Sequence, residues 1–163
     1  MQRGKTRTLG GIHIVRTETP YDDEYATCAE THAWLRIMSE QLDPDAVTTR
    51  LQVQPTRTQR KGDLPRPGSK HPYKYAGWFL ESEGHVKSRD ARRHLDWILE
   101  QVRGKSNVFE SLQAEGHSVD LCIRWDSTGQ GGPTLSPTQM RALADLGIEL
   151  WFDIYFAGDD DAA

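Results

Sequence analysis

The ten residues from Gly147 to Phe156 restrict the fold more than any other stretch. Ile148, Leu150, Phe152, Ile154 and Phe156 alternate with Glu149, Trp151, Asp153 and Tyr155. Period two over this length describes a strand with one buried face, because successive side chains of an extended chain point to opposite sides. Phe152 and Ile154 are therefore expected to enter a core. The other face mixes acids with large aromatics, so it is not an ordinary solvated face. A sheet with one apolar side needs a second layer over that side, and the rest of the chain supplies helices for it.

The same alternation recurs upstream. In residues 29–38, Ala33, Leu35 and Ile37 oppose Glu30, His32, Trp34 and Arg36. In residues 118–126, Val119, Leu121, Ile123 and Trp125 oppose Asp120, Cys122 and Arg124. A further strand is expected over 75–83, and a short edge strand around Thr56, Thr58 and Arg60. Helices are expected over 44–52, 88–103, 107–115 and from Pro137 to Gly147. Asp43 and Ser136 are N-caps followed by proline at the first helical position, where the missing N–H costs nothing. Gln139 completes a capping box with Ser136, and the pairs Leu42/Val47 and Leu135/Met140 have staple spacing. Ser88 and Ser106 are the expected starts of the two middle helices. Ala91, Leu95, Ile98, Leu99 and Val102 form one apolar stripe.

These elements predict an α+β fold: a two-layer sandwich with a mixed or antiparallel sheet of four to five strands and helices on one face. The two proline caps each follow a strand and precede a helix and a strand. Two related strand–helix–strand halves, as in a ferredoxin-like topology, would account for that. The expected boundaries are a basic N-terminal arm over 1–24 with a short strand at 9–16, a single domain over 25–157, and an acidic disordered tail over 158–163.

Composition excludes several classes. The 163 residues suffice for one core, and hydrophobic (36%) and charged (27%) contents are those of a soluble globular chain. A net charge of −4 argues against bulk nucleic-acid binding, which favours basic domains. Two cysteines, Cys28 and Cys122, do not make a disulfide scaffold and suit a reducing cytoplasm. No apolar run approaches the roughly 20 residues that span a bilayer. No signal-peptide core is present either, so the chain is expected in the cytosol.

Leu42-Asp43-Pro44, Arg60-Lys61-Gly62-Asp63, Trp78, His94-Leu95-Asp96-Trp97, Gly132-Pro133-Thr134-Leu135-Ser136-Pro137 and Asp153-Ile154-Tyr155 occur in that order. With this order and spacing, residues 27–157 resemble the bacterial "domain of unknown function 4279" family. The resemblance implies a small α+β domain and brings no catalytic residues.

No catalytic signature is present. There is no Gly-x-Ser-x-Gly elbow, no P-loop or dinucleotide fingerprint, and no His-Glu-x-x-His or Cys-x-x-Cys pair. No cofactor and no metal is expected. Cys28, His32 and Cys122 would approach one another on neighbouring strands, yet a fourth zinc ligand is missing. The glycine-rich run 127–133 leads to a helix N-terminus and reads as a flexible connection. Arg57, Arg60 and Lys61, with Arg66, Lys70, His71 and Lys74, form a basic segment suited to an anion. The main candidate is the sheet face: Trp34, Arg36, Asp120, Arg124, Trp151, Asp153 and Tyr155. Trp, Tyr and Arg are enriched at binding hot spots. The expected function is a non-enzymatic binding domain contacting a protein partner, or a second copy of itself, through this face. A toxin-neutralising immunity protein is one version. The alternative is a small enzyme or ligand-binding protein that uses the sheet carboxylates, Asp120, Asp126, Glu149 and Asp153, with the basic segment.

Overall fold

The computed structural model describes residues 18–156; the expected strand at 9–16 and the acidic tail lie outside them. The elements run β1 (Cys28–Ser39), α1 (Pro44–Leu51), β2 (Arg57–Gln59), β3 (Ala76–Glu81), α2 (Ala91–Gln101), α3 (Ser106–Ala114), β4 (Ser118–Ser127), α4 (Pro137–Leu146) and β5 (Glu149–Phe156). One mixed five-stranded sheet has the order β2-β3-β1-β4-β5. All neighbours are antiparallel except β4 and β5, which are parallel.

The first four strands with α1 and α2 have the split arrangement of ferredoxin-like folds, with α3 inserted before β4. The addition is α4 with β5, joined to the sheet at its edge. The two proline-capped helices therefore do not mark a repeat. The strands flanking α1 are separated by β3, whereas those flanking α4 are neighbours. Similar caps arose because both chain turns need the same orphan amides satisfied.

Register explains the core. Ala33, Leu35 and Ile37 of β1 lie beside Ile123, Leu121 and Val119 of β4, and beside Leu80 and Trp78 of β3. All point to the helical layer and are buried. Helix α2 lies over β1 and β4, α3 over β4, and α1 against β3. Trp78, fully buried, donates its indole N–H to Thr48 of α1 at 3.1 Å. Each large side chain so buried contributes on the order of 1.5–3 kcal/mol.

The caps are as the sequence indicates at α1 and α4. Asp43 accepts from the Asp45 amide at 3.1 Å, and Ser136 and Gln139 form a reciprocal capping box. Met140, however, is half-exposed and makes no buried staple with Leu135. The middle helices start elsewhere than expected. Asp90, not Ser88, caps α2 by accepting from the Arg92 amide, while Ser88 accepts from the Asp90 amide. At α3, Lys105 takes the cap position with no side-chain bond, because its carbonyl accepts directly from Val108 and Phe109 after the turn at Gly104.

Residues 19–23, which the sequence places in the arm, are held against α2. Arg92 donates to the carbonyls of Thr19 and Pro20 at 2.8 and 2.7 Å and pairs with Asp90 at 2.5 Å. Tyr21 donates to Asp96, and Asp23 pairs with Arg93. Burial pushes the Asp90 carboxyl upward, but the Arg92 guanidinium and the amides of Asp22 and Arg92 together outweigh it and hold it below its ordinary range.

Candidate interaction face and its edge

The side of the sheet away from the helices is organised in cross-strand rows. Arg57, Phe79, Arg36, Asp120 and Glu149 make one row, and Glu81, Trp34, Cys122 and Trp151 the next. His32, Arg124 and Asp153 follow, then Glu30, Asp126 and Tyr155. Cross-strand neighbours on one face are close enough to pair. Arg36 donates to Asp120 at 2.6 Å. Arg124 binds Asp126 through two bonds of 2.8 and 3.0 Å and lies 4.7 Å over the Tyr155 ring. Tyr155 donates to Asp153 at 3.1 Å, a bond that raises its phenol pKa. Burial tends to lower the Arg36 pKa, and the contact with Asp120 reverses this to a net rise.

All seven residues chosen for this face, Trp34, Arg36, Asp120, Arg124, Trp151, Asp153 and Tyr155, do lie on it. They are not equivalent. Across β3, β1 and β4 the face largely seals itself. The Arg57 guanidinium covers Phe79 at 3.8 Å, and Phe79, Cys122 and His32 are buried. Burial raises the Cys122 pKa, so it is a packed thiol rather than a nucleophile.

Strand β5 differs. Trp151 and Tyr155 on the open side are 54% and 48% exposed. Phe152, Ile154 and Phe156 point toward the helical side, yet they are 45%, 47% and 70% exposed. The expectation that Phe152 and Ile154 enter the core is thus wrong. The helices lie over β1, β3 and β4 and do not extend above the outer half of β5. Among β5's apolar residues only Leu150 packs partly against the core. Sequence alternation identifies which side a residue faces but not whether anything covers that side. The outward edge of β5 has no partner strand among the described residues.

A family model for a domain of unknown function (DUF4279) matches residues 29–157. The chain belongs to the DUF4279 family. No curated protein matches it, and no solved structure does either. In this DUF4279 domain, the short motifs carrying the resemblance are largely structural. His94 is buried and links Ser82 to the Ser88 carbonyl, at 2.8 and 2.9 Å. Its pKa is lowered, by burial first. Asp96 receives Gln139 and Tyr21, and Trp97 stacks on His85 with centroids 4.8 Å apart.

The other candidates of the DUF4279 chain fare differently. Arg57, Arg60 and Lys61 do not form a set of uncommitted cations: Arg57 pairs with Glu81, Arg60 with Asp43 and Asp45, and Lys61 with Glu40. The glycine-rich connection packs on Tyr25 and Thr27, where a Cβ on Gly131 would come within 2.9 Å of the Thr27 hydroxyl. The grouping of Cys28, His32 and Cys122 does not form. Cys28 packs in the core, while His32 and Cys122 lie on the open face in different rows. His32 instead sits with Glu30 and Glu83, their ligand atoms all within 4.8 Å of one another. Sequence reasoning missed Glu83 because only the β1–β3 register brings it to His32. Among the described residues, no helix is long and apolar enough to cross a membrane.

Proposed function

We propose that this DUF4279 chain is a non-catalytic cytosolic interaction module that pairs with a second copy of itself along β5. The observation that carries this reading is the double exposure of β5. Large apolar side chains stand in solvent on both of its faces, beside a backbone edge that has no partner strand among the described residues. Soluble proteins guard such edges with charged side chains, Pro, bulges or short strands. Strand β5 runs eight residues without Lys, Arg, Pro or a register shift, and its two acids, Glu149 and Asp153, share one face and leave the other wholly apolar. Edge pairing would add main-chain hydrogen bonds and cover aromatics that each contribute on the order of 1.5–3 kcal/mol when fully buried.

The strand also suits itself as a partner. In a two-fold antiparallel pair, residues of like parity face each other. A register centred on Phe152 puts Phe152 against its counterpart, Trp151 opposite Asp153, and Leu150 opposite Ile154. No acid then opposes an acid. Two buried free cysteines are compatible with a reducing compartment.

Sedimentation of the full chain tests this. A dimer is expected at high micromolar concentration, with Trp151→Glu monomeric and its circular dichroism unchanged. A monomeric wild type, or a dimer that survives Trp151→Glu, overturns the proposal. Unfolding of Trp151→Glu would place Trp151 in the core and overturn it too.

A further inference from the structure

We propose that Glu30, His32 and Glu83 bind one divalent transition-metal ion, with zinc the best-matched, in the cleft at the open-face end of β1. The argument starts from how β3 ends. The Ser82 amide donates to the Ala33 carbonyl at 2.9 Å, and the Ser82 hydroxyl accepts from the Ala33 amide at 2.8 Å. His94 fixes that hydroxyl from behind. The β1–β3 register, which ends at Trp34 opposite Glu81, is thereby carried one residue further before the chain turns at Gly84. Two residues beyond Glu81, Glu83 falls opposite His32. Glu30, two residues from His32 on the same strand, falls on the same face.

Three observations point to a cation. First, the ligand atoms of the three side chains lie within 4.8 Å of one another. Ligands at the ~2.0–2.2 Å typical of zinc sit at most about 4.4 Å apart, so small rotations of two exposed glutamates suffice. Second, His32 is only 4% exposed, lines a cleft of about 300 Å³, and has no hydrogen-bond partner among the described residues. Its ring nitrogens are not sealed in, since among the described residues the buried side-chain nitrogen left without a partner is Trp125 Nε1, so they are open to a ligand entering the cleft. Third, neither Glu30 nor Glu83 has an ion-pair partner among the described residues. The nearest cation across β4, Arg124, is committed to Asp126.

One imidazole nitrogen with two carboxylates favours zinc or manganese over calcium or magnesium, which prefer oxygen alone. Three protein ligands leave a position open toward the cleft, the pattern of sites that exchange a water or a substrate oxygen. Lys87 and Arg89 also line this cleft. An anionic oxygen ligand is the class they would admit.

The test is calorimetric titration of the chelator-stripped full chain with zinc. One zinc per chain is expected, not displaced by an equal concentration of magnesium. Glu30→Gln with Glu83→Gln, both surface changes, should weaken binding by about a hundredfold or more, since loss of mere supporting groups already costs about 10–100-fold. Cobalt in place of zinc should shift and broaden the His32 ring resonances in NMR spectra. His32→Ala should bind no better than the double variant; if it fails to fold, the double variant and the cobalt spectrum decide. No saturable zinc binding, unchanged affinity in the double variant, unperturbed His32 resonances, or ready displacement by magnesium would each overturn the assignment.

Discussion

The two edges of the sheet are treated in opposite ways. At one edge, β2 has only three residues, all polar. Arg57 covers Phe79 of β3 and pairs with Glu81, and Thr56 ties the chain to Phe79 by two bonds of 2.9 and 3.1 Å. At the other edge, β5 runs eight residues with aromatics and an isoleucine in solvent on both faces. The same sheet thus carries a closed border and an open one. Since edge protection is a matter of length, charge and cover, this contrast is the ground on which self-association is proposed for the β5 border and not for β2.

The largest effect should come from charging the open border. Phe152→Lys combined with Trp151→Glu is expected to abolish self-association, raising the dissociation constant by more than about a hundredfold, which is more than about 2.7 kcal/mol. Sedimentation across a concentration series would register this, and retained dimerisation would remove the contrast between the edges. The closed border should instead answer in stability. Phe79→Ala is expected to cost about 3–5 kcal/mol in a denaturant titration, because the ring is buried beneath Arg57. A loss under about 1 kcal/mol would mean that this border is not sealed by packing.

Gly77→Ala sharpens the same point. A Cβ there would come within 2.5 Å of the Phe79 ring and 3.3 Å of the Gln59 side chain. Overpacking of this kind costs about 1–3 kcal/mol, and a variant as stable as wild type would show that the ring has room to move. Ser136→Ala tests the helix that delivers β5 to the sheet. Loss of the capping box should lower stability by about 0.5–2 kcal/mol, read as a lower denaturant midpoint at constant slope. The smallest effect is expected from Thr58→Lys in β2, within about 0.5 kcal/mol and with no change in oligomeric mass. A change in mass there would show that the short edge also associates.

Several features were legible in the sequence because they depend on near neighbours. Period-two patterning assigned β1, β4 and β5 and sorted their residues between the two faces. Proline after Asp43 and Ser136, with Gln139 in the first turn, fixed two helix starts, since a cap is a contact among adjacent residues. The seven residues of the open face were found this way. Other features depended on where distant segments packed. Alternation put Phe152 and Ile154 on the helical side, but only the lateral reach of the helices decided that they remain in solvent. Likewise, Arg57, Arg60 and Lys61 read as a cationic segment until the fold supplied each with a carboxylate. His32 is visible from sequence as a polar residue in a strand; its meeting with Glu83 required the register between β1 and β3 and the turn fixed by Ser82. Sequence therefore determined direction and local termination, which follow from backbone geometry. The tertiary structure decided coverage and convergence, because both are set by contacts between segments far apart along the chain.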